Sequence, residues 1–204
     1  MKTSLNKVKK IINIKDYSIK ELLEYFEQFD NYICVIKTEK NIIKFKIHKE
    51  AFPHLIRLQY LSKSTKYKGK LGLEQIKQNN ISFQKISKVL KHTKNYNNII
   101  TNIKLRLEYL PLFFNSINSN MHIKKIDQNN ITRKTLLKGN YLLFKKIKNN
   151  HKTLFPLVSL KNIKKDLFII ETFIIETNIS LLGNLSEEKI INIELLPPKM
   201  LISN

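Results

Sequence analysis

Tryptophan is absent from this chain, cysteine occurs once, and glycine and proline are scarce, at four and five positions. Each shortage removes a class of chemistry. A lone Cys34 excludes an internal disulfide and any zinc site built on cysteine pairs, and its apolar setting, YICVI, offers no basic neighbour to activate the thiol. None of the four glycines stands at the spacing of a phosphate-binding loop or a dinucleotide fold. HExxH and GxSxG are missing, and the histidines at 48, 54, 92, 122 and 151 are scattered without carboxylates at ligand spacing, so neither a metal nor a cofactor is expected. No apolar run approaches the roughly 18 residues of a membrane span. The N-terminus MKTSLNKVKKIINI is basic, but its apolar stretch is too short for a signal peptide. The expectation is a cytoplasmic protein with no membrane partner.

Acidic residues are the most telling shortage. Lysine and arginine number 37 against 16 aspartates and glutamates, a net charge of +21, so the surface carries a positive field towards polyanions, nucleic acid first among them. AT-rich coding inflates lysine along with isoleucine and asparagine, but does not by itself deplete glutamate. A hydrophobic content of 42% is enough for a core.

Along the chain, Ser18 caps a predicted helix, SIKELLEYFEQF, with Glu21 at the capping-box position and Leu22, Leu23, Phe26 and Phe29 at helical spacing. Tyr32 to Thr38 and Ile42 to His48 read as two strands of a hairpin, the second alternating cleanly. The segment AFPHLIRLQYL, residues 51–61, follows as a buried helix with Pro53 in its first turn and His54 at the edge of its apolar arc, near Glu50 and Arg57. A basic loop, KSTKYKGK, comes next, where Lys63, Lys66, Lys68 and Lys70 with interleaved Tyr67 suit a phosphate backbone. Helices are predicted at Leu71 to Lys77, Phe83 to Lys91 and Asn97 to Tyr109, the last broken by Pro111 or restarted by it into LFFNSIN, and carrying Arg106, which either faces a groove or pairs locally.

After about residue 120 five candidate strands follow: MHIKKID, NYLLFKKI, TLFPLVSLK, DLFIIETFIIET and KIINIELL. Runs of helices then strands predict an α+β fold, a helical N-terminal and central part packed on a C-terminal antiparallel sheet with an N-terminal β-hairpin. The expected division is an N-terminal helical extension over 1–29, a single domain over 30–198 and a tail over 199–204. In regular strands Lys145 shares a face with Tyr141 and Leu143, Lys146 with Leu142 and Phe144, and Ser159 with Phe155 and Leu157. The near-repeat IIET has a spacing of five, which puts Glu171 and Glu176 on opposite sides of a regular strand.

These residue types suit RNA cleavage without metal, which needs a base for the 2′-hydroxyl, an acid for the leaving oxygen and donors for the phosphorane charge. His54 can serve as base or acid, Lys145, Lys146 or Arg106 as phosphate ligands, and Ser159 and Thr172 as donors. Arg57 with Lys63, Lys66, Lys68, Lys70 and Arg106 then forms the candidate nucleic-acid surface.

A His-Leu-Ile-x-Leu segment (His54 to Leu58) behind a hairpin, followed by helices and by strands with FKK (Phe144 to Lys146) and PLVS (Pro156 to Ser159), resembles the phage- and mobile-element-associated branch of the barnase, EndoU, colicin and RelE-like nuclease superfamily. The resemblance covers about residues 30–198. It implies helices packed on an antiparallel sheet and a metal-independent RNase of toxin type. RNA, tRNA among its forms, would be the substrate and an antitoxin or immunity protein a partner. It also implies roles for His54, for Lys145 or Lys146, and for Ser159. The chain departs from the pattern at Arg57, where a small residue is expected. Two other readings stay open: a non-enzymatic basic nucleic-acid-binding protein, and an interaction protein whose lysines reflect coding bias.

Overall fold

A computed structural model of the protein describes residues 5, 9–62, 64–117, 120–127, 137–149, 152–177 and 185–198. Helices and a large mixed sheet are both present, an α+β chain. It divides into two compact units, each made of two chain segments: a helical unit of Met1–Asp30 with His48–Asn115, and a sheet unit of Asn31–Ile47 with Ser116–Asn204. This differs from the expected boundary at residue 30. The first helix is no extension, because its apolar face is built into the helical unit; the expected tail lies outside the described residues.

That helix, α1 (Ile19–Glu27), starts as the sequence predicts. Ser18 Oγ accepts the Glu21 N–H at 3.1 Å, and the Glu21 carboxylate accepts the Ser18 N–H at 2.7 Å. Phe26 lies with its ring centroid 5.5 Å from that of Phe52 and 5.1 Å from that of Phe114, and all three are buried. Full burial of each such ring contributes about 1.5–3 kcal/mol.

The stretch expected as one buried helix over 51–61 is two short pieces instead. Helix α2 is only Phe52–Leu55; Arg57 then adopts a left-handed conformation (φ 63°), and a 3-10 turn spans Leu58–Leu61. A left-handed residue cannot sit inside a helix, so the chain turns at Arg57. Helices α3 (Gly69–Lys77), α4 (Phe83–Leu90) and α5 (Tyr96–Asn115) follow. The expected break at Pro111 does not occur: α5 continues through it to Asn115. The Tyr25 hydroxyl lies beside this turn, donating to Asn115 Oδ1 at 2.8 Å with the Pro111 carbonyl at 3.2 Å.

In the sheet unit the strands are β1 (Ile33–Thr38), β2 (Ile42–Lys46), β3 (Met121–Lys125), β4 (Tyr141–Lys145), β5 (Ile147–Asn149), β6 (Lys152–Lys164), β7 (Leu167–Glu176), β8 (Glu187–Glu188) and β9 (Ile190–Leu196). Their order is β8-β3-β4-β6-β7-β2-β1-β9, with β5 on β6. The expected sheet was C-terminal and antiparallel; the observed one takes in β1 and β2, and the β2–β7 pair is parallel. β1 and β2 pair antiparallel with each other, but each has a second neighbour. The sheet curls into a nearly closed barrel, since β8 lies on one edge and β9 on the other and Lys189 alone separates them in the chain.

Strand register carries an apolar layer across this sheet. Cys34 faces Phe45 and Phe45 faces Phe168; Ile123, Leu143, Val158 and Phe173 continue it through β3, β4, β6 and β7, all buried. Burial holds the Cys34 thiol well above its usual range, consistent with an inert core residue. The opposite face of β4 and β6 packs separately, with Leu142, Phe144, Phe155 and Leu157 against Ile126, Leu137 and Leu185.

Candidate nucleic-acid interface

Lys145, Ser159 and Thr172, proposed from sequence as parts of one constellation, do not share a face. Ser159 and Thr172 are direct cross-strand partners on β6 and β7. Lys145 follows Tyr141 and Leu143, whose register partners Leu160 and Val158 lie on the other face of β6 from Ser159. Lys146 falls after the end of β4 and is exposed. Burial of the Lys145 stem holds its ammonium below the usual lysine range, but Lys145 lies across the sheet from the two hydroxyls.

Ser159 is also sealed. It has 0% exposure, and its hydroxyl donates to Glu171 Oε2 at 2.9 Å. Gly139 lies directly over it: a Cβ at Gly139 would stand 2.1 Å from Ser159 Oγ and 2.8 Å from the Leu160 carbonyl. A group so enclosed cannot donate to a substrate, and its role is to satisfy Glu171. The register shift between Ser159 and Leu160 resets the alternation of β7. Glu171, bonded to Ser159, and Glu176, opposite Phe155, therefore serve the same face, contrary to the regular-strand expectation.

His54 belongs to the helical unit, and Lys145, Lys146, Ser159 and Thr172 belong to the sheet unit. It is exposed on α2, while Phe52, Pro53, Leu55, Ile56 and Leu58 are buried around it. Arg106 is not a surface cation. It is 1% exposed, and its Nη1 donates to the Leu55 carbonyl at 2.8 Å, so it ties α5 to the end of α2.

The remaining candidates do come together, within the helical unit. Arg57, turned by its left-handed backbone, places its guanidinium 5.2 Å from the centroid of the Tyr60 ring. The 3-10 turn bearing Tyr60 packs against a second one, Thr65–Tyr67, where Ser64 Oγ accepts the Lys66 N–H and the Lys66 ammonium lies 5.7 Å from the Tyr67 ring centroid. Helix α3 rises from that turn, its entry made by Gly69 at φ +46°. Gly72 is required for the approach: a Cβ there would meet the Tyr67 carbonyl at 2.8 Å and Pro53 Cβ at 2.9 Å. Lys66, Lys68 and Lys70 are exposed around this junction; Lys63 lies outside the described residues.

Helix α4 extends the same character and was not among the expected site elements. Ser82 caps it, Ile86 and Leu90 are buried, and Lys85, Lys88 and Lys91 form an exposed row. The spacing i, i+3, i+6 opposite an i, i+4 apolar pair is the signature of an amphipathic helix with a cationic face. Between Ser62 and Leu107 the sequence holds ten lysines and a single carboxylate, Glu74. Lys77 pairs with Glu27 at 2.7 Å and Lys104 with Glu108 at 3.9 Å, both acids outside that stretch.

Elsewhere, a polar seam in the sheet unit escaped the sequence reading. Glu188, only 6% exposed, accepts the Thr38 hydroxyl at 2.7 Å and the Asn41 amide at 3.0 and 3.1 Å. Beside it His122 Nδ1 lies 2.8 Å from Glu187. No group of three potential metal ligands occurs among the described residues, and no described helix is long and apolar enough to cross a membrane.

The chain matches no family model, no curated protein and no solved structure. Its own geometry carries the functional argument.

Proposed function

We propose that this chain binds nucleic acid by its phosphate backbone, through the lysine-bearing turns and helices over residues 64–94. The supporting observation is the row of exposed lysines on the 65–70 segment and α4, in a stretch where Glu74 is the only carboxylate. Each phosphate that such a surface neutralises releases counter-ions condensed on the nucleic acid, so affinity falls steeply with salt. The test is fluorescence anisotropy on a labelled RNA across a salt series. Each phosphate neutralised on a single strand adds about 0.7 to the slope of log affinity against log salt, so changing Lys85, Lys88 and Lys91 together to Gln should lower that slope by about 2. An unchanged slope and affinity would remove this face from the reading.

A second reading, metal-independent RNA cleavage, is supported by His54. It is exposed on α2, which packs against α3 beside the cationic turns, so a group able to move protons stands on the same unit as the phosphate ligands. In this reading exposed lysines of the helical unit take the part assigned from sequence to Lys145 and Lys146. Total RNA or tRNA incubated with the protein in EDTA should give discrete fragments, lost in His54→Ala; intact RNA with the wild-type protein overturns it.

A further inference from the structure

Two aromatic rings interrupt the lysine surface, and a backbone-only ligand gives them nothing to do. Tyr60 is 42% exposed and Tyr67 is half-buried, yet each has a cation against its ring: Arg57 at 5.2 Å and Lys66 at 5.7 Å. Both are held in place. Arg57's left-handed turn sets the start of the Tyr60 segment, and the Gly72 contact presses α3 onto the backbone of Tyr67. The Tyr60 turn packs on the Tyr67 turn and on α4, and the Tyr67 turn packs on α3, so one cluster of neighbouring elements carries both rings, Lys66, Lys68, Lys70 and the α4 lysines. We infer that the ligand is single-stranded nucleic acid, with unpaired bases stacked on Tyr60 and Tyr67 while the surrounding lysines hold the phosphates. This rests on the phosphate-binding reading above and names its substrate class.

The chemistry follows from what each form of nucleic acid exposes. A duplex hides its base faces in its own stack and shows a charged rail, for which lysines suffice. A single strand has free π-faces, and stacking each on an aromatic ring is worth roughly 1–3 kcal/mol, independent of sequence. A cation beside each tyrosine adds a favourable quadrupole contact and supplies positive charge for the phosphate next to a stacked base. With no tryptophan to mask it, tyrosine emission can follow that stacking, read as the part of the quench that is lost when Tyr60 or Tyr67, two of the eight tyrosines, is replaced by alanine.

The test compares a labelled oligouridylate with a labelled RNA hairpin of equal phosphate number, and with heparin as a polyanion without bases. The single strand should bind at least tenfold more tightly than the hairpin and quench tyrosine emission, which heparin should not. Tyr60→Ala and Tyr67→Ala should each weaken oligouridylate binding roughly fivefold or more. Hairpin affinity should stay unchanged, and Tyr60→Phe and Tyr67→Phe should retain tight binding. Equal affinity for strand and hairpin, or alanine variants that bind the strand like the wild type while melting normally, overturns the stacking inference and leaves the phosphate reading standing. Failure of all three polyanions to bind overturns both.

Discussion

The buried Glu188 carboxylate shows how much one residue holds in the sheet unit. Both of its oxygens are occupied by groups of the β1–β2 turn, the Thr38 hydroxyl and the Asn41 amide, at the seam where β8 meets β9. Hydrogen bonds to a charged acceptor contribute about 1.5–3 kcal/mol, so Glu188→Ala should cost about 3 kcal/mol in urea unfolding. Gly139 offers a second test: a methyl there collides with Ser159 Oγ, and overpacking of this kind costs about 1–3 kcal/mol. Gly139→Ala should therefore destabilise, and less so when Ser159 is also alanine, because part of the clash is with its hydroxyl. Glu108 gives a pH signature. Burial pushes its carboxyl above the ordinary value of 4.5, against the opposing pull of the Ile14 N–H and Lys104. The folded chain then holds that proton more tightly than the unfolded one, so stability falls as pH rises from 4.5 through the raised value. Glu108→Gln keeps an acceptor for Ile14, and should stabilise at neutral pH with a gain that fades below pH 4.5.

Elements differ in how plainly they were written. Helix α1 was legible from Ser18, Glu21 and its apolar spacing, because capping is a local interaction between residues three apart. Ser18→Ala should cost about 1 kcal/mol, read as a lower melting temperature. The five long candidate strands were legible as β3, β4, β6, β7 and β9, since alternation and β-branched content need no partner to be seen. The turn at Arg57 was not legible, because a left-handed arginine in an apolar run is imposed by tertiary packing around Phe52 and Leu55. The same break places Tyr60 on its own turn, so its part in the candidate site was hidden. The lysines of 66–70 were legible as a basic loop, whereas burial of Arg106 depended on the Leu55 carbonyl, fifty-one positions away in sequence. The β7 bulge likewise comes from cross-strand register and not from the IIET repeat.

At the scale of the molecule, charge and connectivity pull in separate directions. A chain at +21 repels itself, so added salt should raise its melting temperature while weakening the proposed binding of nucleic acid, two opposite trends measurable in one salt series. Connectivity sets a timetable. All residues of the helical unit have been made once Asn115 is added, but β1 and β2 cannot complete their sheet until β7 and β9 follow, with Phe45 waiting for Phe168. For that interval the nascent chain presents two paired strands with both outer edges open, the arrangement most prone to capture by another chain. Ribosomes stalled just beyond residue 120 outside the exit tunnel should thus show a protease-resistant helical body from which the segment 31–47 is readily cut, and release of the full chain should close that cutting window. The protein's most exposed moment would then come during its own synthesis.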